Sequence, residues 1–322
     1  MFVDFCAFPA SQMELPVFAA RFPKPAIVGY TACPPIASRF STAEAIIAEV
    51  QKTVGVFEKQ EDVLVIQNIE DLDNLGDRIG VVLGLQLPPM DANIEDLKTL
   101  RRLGILFTTL AYKNEENPYG GGYMTTKPLT EQGKKFLRGL AVAGIVADLS
   151  HACHQTARET IEFVRKNPGV RIMASHGGCH SVYNNPRNLP DDILSGIARF
   201  SGIVGVYNLT FGLSQTDDSL NPWLQHVRHM IEICGLGNVS LGTDGIYRQI
   251  PEPQARTHFE RMKQFAPDDP RWPIRFPVEP VCLNSPLKAE IISGKLTEEF
   301  RDPDTVKKIT ANNALHFLRT VL

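Results

Sequence analysis

The chain is 322 residues long, 43% hydrophobic and 21% charged, which fits a folded globular protein and excludes disordered, collagen-like and coiled-coil chains. Lys and Arg number 33 against 36 Asp and Glu, a net charge of −3, so there is no electrostatic footprint for nucleic acid and no polybasic surface for anionic lipid. No run approaches 18 uncharged apolar residues, and no transmembrane helix is expected.

The first residues carry Asp4 inside the apolar run and no basic segment, unlike a secretory signal. The six cysteines are scattered with no CxxC pair, a pattern that predicts free thiols in a reducing cytoplasm.

In chain order, short apolar runs rich in β-branched residues occupy residues 1–6, 26–30, 63–69, 79–87, 105–112, 145–151, 170–176, 202–208 and 239–244. Their near-continuous hydrophobicity suits strands buried on both faces, as in a parallel sheet. Helical periodicity fills the intervals at 42–60, 94–103, 129–142, 155–166, 191–200, 223–234 and 303–321. Thr130 precedes one of these as an N-cap, and Pro190-Asp-Asp opens another with acid at the positive helix end. Alternation sustained about eight times predicts a single α/β domain over residues 1–322, a (β/α)8 TIM barrel. The stretch 251–280 holds seven prolines and is expected to form a long loop, followed by C-terminal helices over 286–321.

Catalytic groups of such a barrel sit at the C-terminal ends of its strands. The polar residues ending the runs are Asp148 and His151, Ser175 and His176, Asn208, and Thr243 and Asp244. Two imidazoles and a carboxylate on one rim suit zinc, while Asp148 is expected to cap a helix or orient a histidine. His154, His180, His226, His229, His258 and His316 read as caps, loop residues or solvated helix faces, and Cys153 and Cys179 as inert buried thiols.

The text also resembles a family. Val-Ala-Asp-Leu-Ser-His at 146–151 is similar to the DLSH ligand motif of the renal, or membrane, dipeptidases. Met-Ala-Ser-His-Gly at 173–177 with Asn-Pro-Arg-Asn-Leu-Pro-Asp-Asp at 185–192 resembles that family's FSHS…PRNIPDD, and Leu-Gly-Thr-Asp-Gly at 241–245 its IGGDFDG. The resemblance runs in order from about Gly80 to the end. It implies an amidohydrolase-type barrel that hydrolyses dipeptides with two zinc ions, often as a homodimer. His151 and His176 then ligate one metal, Arg187 grips a substrate carboxylate, and Asp244 handles protons on the amine leaving group.

Three positions depart from the pattern. The family's H-x-D on the first strand, which binds the other zinc, is matched here by Cys6 and Phe8. Its metal-bridging Glu is matched by Gln86, and a substrate-binding His by Tyr112. Two zinc ions held by hydroxide alone, roughly 3.5 Å apart, repel by about 19 kcal/mol even at an effective dielectric of ~20, and neutral Gln86 does not offset this.

The expectation is therefore at most one zinc, on His151 and His176 with Cys6 or Asp244 as third ligand. The chain would then hydrolyse a small carboxylate-bearing amide or peptide-like substrate, with Tyr112 and Asn208 beside Arg187 as substrate-binding residues. A metal-free pseudoenzyme or small-molecule binding protein on the same barrel is the alternative reading, and a Cys6 nucleophile a third. The loops that choose a substrate, 113–126 and 251–280, carry no readable signal.

Overall fold

The computed structural model describes residues 1–7, 26–32, 42–112, 117–265, 269 and 271–322. Phe8, Cys33 and parts of both substrate-choosing loops lie outside the described residues.

All nine apolar runs contain a strand: β1 (Phe2–Asp4), β2 (Ala26–Thr31), β3 (Val63–Val65), β4 (Ile79–Leu85), β5 (Ile105–Thr109), β6 (Val146–Asp148), β7 (Ile172–Gly177), β8 (Val204–Val206) and β9 (Val239–Leu241). Every pairing is parallel. β1 lies between β2 and β9, β2 pairs with β4 from Ala26↔Ile79 to Thr31↔Gly84, and β4 to β9 follow in sequence. Eight strands thus close a (β/α)8 TIM barrel. The ninth, β3, sits outside the ring against Ile79–Val81 at the start of β4.

Two apolar layers hold this ring. One cluster takes a residue from each of seven consecutive staves: Val3, Ile27, Val82, Leu106, Val146, Met173 and, just before β8, Ile203. That set fills the barrel lumen. Phe317 and Leu318 of the C-terminal helix (Asn313–Val321) join it, and the Phe317 ring meets Phe5 edge-on at 6.0 Å. The other cluster packs alternate strand residues such as Val81, Leu83 and Leu85 against the surrounding helices, including Ile46 and Val50 of Ala43–Phe57. Being buried on both faces is why β4 reads as an unbroken apolar run.

Helices follow the strands as the periodicity predicts. Thr130 caps Glu131–Ala143 by accepting from the Gly133 amide at 2.9 Å. The helix Asp191–Arg199 has Pro190 at its cap, makes no side-chain cap bond, and begins with two acids instead. The Pro-rich stretch departs from expectation. It contains a helix, Glu252–Phe265, because Pro251 and Pro253 fall before and within the first turn, where a missing N–H breaks no helical bond. Among the described residues, no helix is long and apolar enough to cross a membrane, and the five described cysteines are free.

His226 also departs from expectation: it is fully buried rather than solvated. Its Nδ1 accepts from the Cys179 amide at 2.8 Å while Nε2 faces the Leu213 carbonyl at 3.0 Å, so the neutral ring is satisfied at both nitrogens. Burial lowers its pKa to about 4, against the opposing pull of the Leu213 carbonyl. The unfolded chain then binds a proton that the folded one refuses between pH 6.5 and 4. Stability from this group is complete above pH 6.5 and is lost as the pH falls through that window. Between pH 7 and pH 5 the loss should be about 2 kcal/mol. Urea unfolding at the two pH values measures it, and His226→Gln should lack that increment; an unchanged pH dependence in the variant would refute the assignment.

Candidate active site at the strand ends

Two buried aspartates form the floor of the site. Asp148 ends β6 and accepts four hydrogen bonds: from the amide and hydroxyl of Ser150 (3.0 and 2.6 Å) and from the amide and hydroxyl of Ser175 on β7 (3.0 and 2.5 Å). Asp4 does the same where β1 meets β9. It accepts from the Cys6 amide (3.0 Å), the Thr243 amide and hydroxyl (2.9 and 2.5 Å) and the Tyr247 hydroxyl (2.6 Å). Each carboxylate crosses from one strand to the next and fixes the residues that carry chemistry. Asp148 thus orients a histidine: Ser175 Oγ lies 2.8 Å from His176 Nδ1.

Above this floor the structure brings together Cys6, His151, His176, Arg187 and Asp244, with Gln86 and Tyr112 beside them. His151 Nε2 and His176 Nε2 are 3.0 Å apart. Arg187 Nη1 lies 3.1 Å from His151 Nδ1, and its Nη2 donates to Asp244 Oδ2 at 3.0 Å. The nearby acids Asp191 and Asp192 are taken by His229 and Arg158. Tyr112 stacks on the His151 ring at a centroid distance of 4.3 Å. Cys6 Sγ faces Asp244 Oδ1 at 3.7 Å and receives the Gln86 Nε2 amide at 3.5 Å. Asn208 is wholly buried beside this cluster, its amide donating to the Thr243 carbonyl, and among the described residues its carboxamide has no partner at either end.

The electrostatics follow from burial. It holds the His151 pKa well below the usual imidazole range, with the Arg187 charge and His176 adding to the effect. It lowers that of His176 as well, against the pull of Asp244. Burial, then Asp244, Asp4 and Asp148, push the Cys6 thiol well above its ordinary value. With both rings neutral, the bonds are consistent with Arg187 donating to His151 Nδ1 and His151 Nε2–H donating to His176.

Some contributors left no mark in the sequence. Tyr123, in the loop after β5, presents its ring to the Arg187 guanidinium at 5.5 Å, and Tyr207 does so at 5.9 Å. The wholly buried Lys288 pairs with Glu279 beside Tyr247, its Nζ 5.3 Å from the Tyr247 ring centroid. The pair ties the end of the Pro-rich stretch to the Asp4 network. Asp244 itself has φ of 54°, a left-handed backbone that Asp and Asn tolerate better than other side chains.

The donor set fits one metal ion. Cys6 Sγ, a ring nitrogen of His176 and a carboxylate oxygen of Asp244 lie within 4.8 Å of one another, and thiolate, imidazole and carboxylate together suit zinc. Where the family's metal-bridging Glu is matched, Gln86 presents a neutral carboxamide, buried against Cys6.

Comparison with known proteins bears on the fold and the family. A dipeptidase of Clonostachys rogersoniana, verJ, is 29% identical over 181 residues, 52% of this chain and 43% of that protein. An uncharacterized dipeptidase of Schizosaccharomyces pombe is 27% identical over 180 residues, 53% of this chain and 43% of its own length. These matches span less than half of each curated relative. Among solved structures, an amidohydrolase from Pseudomonas aeruginosa superposes with a TM-score of 0.80 at 19% identity, over 100% of this chain and 96% of that one. The dipeptidase AC, a metallopeptidase of family M19, gives 0.74 at 15% over 99% and 98%. At such identities the likeness is one of fold. The family model of membrane dipeptidases, peptidase family M19, matches residues 26–255. On that match, which covers more than half its length, the chain belongs to the membrane dipeptidase family.

Proposed function

We propose that the chain hydrolyses a small carboxylate-bearing amide or peptide-like molecule, using one divalent ion, zinc by its donor set, in the cluster of Cys6, His151, His176 and Asp244. The observation that carries this reading is the unfinished coordination of Arg187. Its guanidinium is buried and spends one N–H on Asp244 and one on His151, yet Nε has no partner among the described residues. A buried, unpaired N–H is costly to leave so. It is the open donor on the planar fork that matches a carboxylate, while Tyr123 also hydrogen-bonds the guanidinium.

The ion, when bound, activates a water and polarises the scissile carbonyl. The remaining work belongs to the chain. Arg187, walled by Tyr123 and Tyr207, orients the substrate by its carboxylate. Asn208, with a free donor and a free acceptor one backbone contact from Thr243, offers itself to the substrate amide. Two groups stand where a proton can be carried: Asp244, in the role the family resemblance implies, and His151, held neutral.

The test is binding of N-acetylglycine by calorimetry. Arg187→Lys keeps the charge but loses the fork, and should weaken binding about tenfold or more. An unchanged dissociation constant would overturn the carboxylate assignment. A metal-free small-molecule binder is favoured by one observation, the hydrogen bond joining His151 to His176, which pairs the two rings without a cation. Elemental analysis separates the readings: about one equivalent of zinc supports the hydrolase, and none supports the binder.

A further inference from the structure

We infer that the single ion is held by Cys6, His176 and Asp244, a set containing a thiolate, with His151 beside the ion rather than on it. This rests on the one-ion reading and names its ligands. The three donor atoms lie within 4.8 Å of one another, and His151 is not in that group. Sulfur and oxygen donors on one tetrahedral zinc stand roughly 3.6 Å apart, given bonds of about 2.3 and 2.1 Å. Cys6 Sγ and Asp244 Oδ1 are already 3.7 Å apart. The two imidazole Nε2 atoms, at 3.0 Å, have hydrogen-bond spacing instead, short of the roughly 3.4 Å expected for two nitrogens on one tetrahedral ion.

The neighbours of each ring point the same way. An imidazole that ligates through Nε2 carries its proton on Nδ1 and needs an acceptor there. His176 has one: Ser175 Oγ, itself held by Asp148. His151 has a guanidinium N–H 3.1 Å from its Nδ1, which competes there with the Tyr112 backbone acceptor and would oppose a second N–H if Nε2 took the ion. Asp244 is divided conveniently, with Oδ2 on Arg187 and Oδ1 toward Cys6, so it can ligate without releasing the arginine. The Gln86 amide at Sγ becomes a stronger contact once the sulfur is an anion. On binding, the S–H bond breaks, its proton leaves to solvent, and the sulfur lone pair takes the ion. Thiolate and carboxylate then neutralise the two positive charges, and the proton-carrying role falls to His151. A soft sulfur donor also selects zinc, cobalt or cadmium over magnesium, calcium or manganese.

The experiment loads the full chain with Co²⁺ and reads the near-ultraviolet thiolate-to-cobalt charge-transfer band, with X-ray absorption at the zinc edge on the unmodified protein. One equivalent is expected, with the band present and a sulfur scatterer at about 2.3 Å. In Cys6→Ser the band should vanish, and ion affinity should fall roughly tenfold or more. One equivalent with nitrogen and oxygen scatterers only, or a band that survives in Cys6→Ser, overturns the thiolate set and leaves the one-ion reading standing. No bound ion, or two, overturns both. The absorption measurement needs no variant, so it decides the matter even if Cys6→Ser misfolds.

Discussion

Ordinary dipeptides should be turned over at least about 10²-fold more slowly by this chain than by a variant carrying Cys6→His, Phe8→Asp and Gln86→Glu. The barrel, His151, His176, Arg187 and Asp244 are in place, so the variant changes only what the resemblance finds missing. A single well-placed oxyanion stabiliser contributes roughly 3–4 kcal/mol, or about 10²–10³ in rate, and a lost metal should cost no less. Restoring an Asp and a Glu supplies the negative charge that two zinc ions need, so stoichiometry should rise toward two. The new Phe8→Asp carboxylate, introduced as the ligand the resemblance finds missing, needs its ion as a partner, so the variant's stability should depend on zinc. Zinc analysis and turnover of a dipeptide panel, on both proteins, check this. Dipeptidase rates in the unmodified chain equal to those of the variant would sink the charge argument.

Removing the floor should have the other large effect. Asp4→Ala strands four donors, the amides of Cys6 and Thr243 and the hydroxyls of Thr243 and Tyr247. Leaving buried donors unmet, with partial relaxation, should cost about 3–5 kcal/mol. Asp4→Asn keeps the volume but turns an amide donor toward donors, and should recover only part of the loss. Urea denaturation measures both. A loss under about 1 kcal/mol for Asp4→Ala would mean that water replaces the carboxylate.

The architecture was readable because burial on both faces leaves a signal in each strand separately. Seven of the nine apolar runs overshoot their strands at the C-terminal end: the run 145–151 yields the strand Val146–Asp148. The excess is where Ser150 and His151 turn into the site. The run 63–69 falls short in another way, since Asn68 accepts from the Asp71 amide and starts a helix. The rim residues of the site were legible from topology and motif together. Their mutual geometry was not. Nothing local marks Tyr123 as a neighbour of Arg187, or Lys288 as the partner of Glu279, because those contacts join distant segments. His226 was misread for the same reason: its acceptor role toward the Cys179 amide depends on how its helix packs on the loop after β7, not on helical period.

The left-handed backbone at Asp244 says something about how the site is held. A side chain held at φ of 54° is destabilised by about 1–2 kcal/mol relative to glycine, which adopts that conformation freely. Glycine there would relieve the backbone strain but delete the carboxylate that faces both Arg187 and Cys6, leaving a largely buried guanidinium without its counter-charge. The strain at this position thus sets the comfort of the backbone against the contacts of the carboxylate within one residue: the chain holds a conformation that suits glycine in order to present a charge to Arg187 and Cys6.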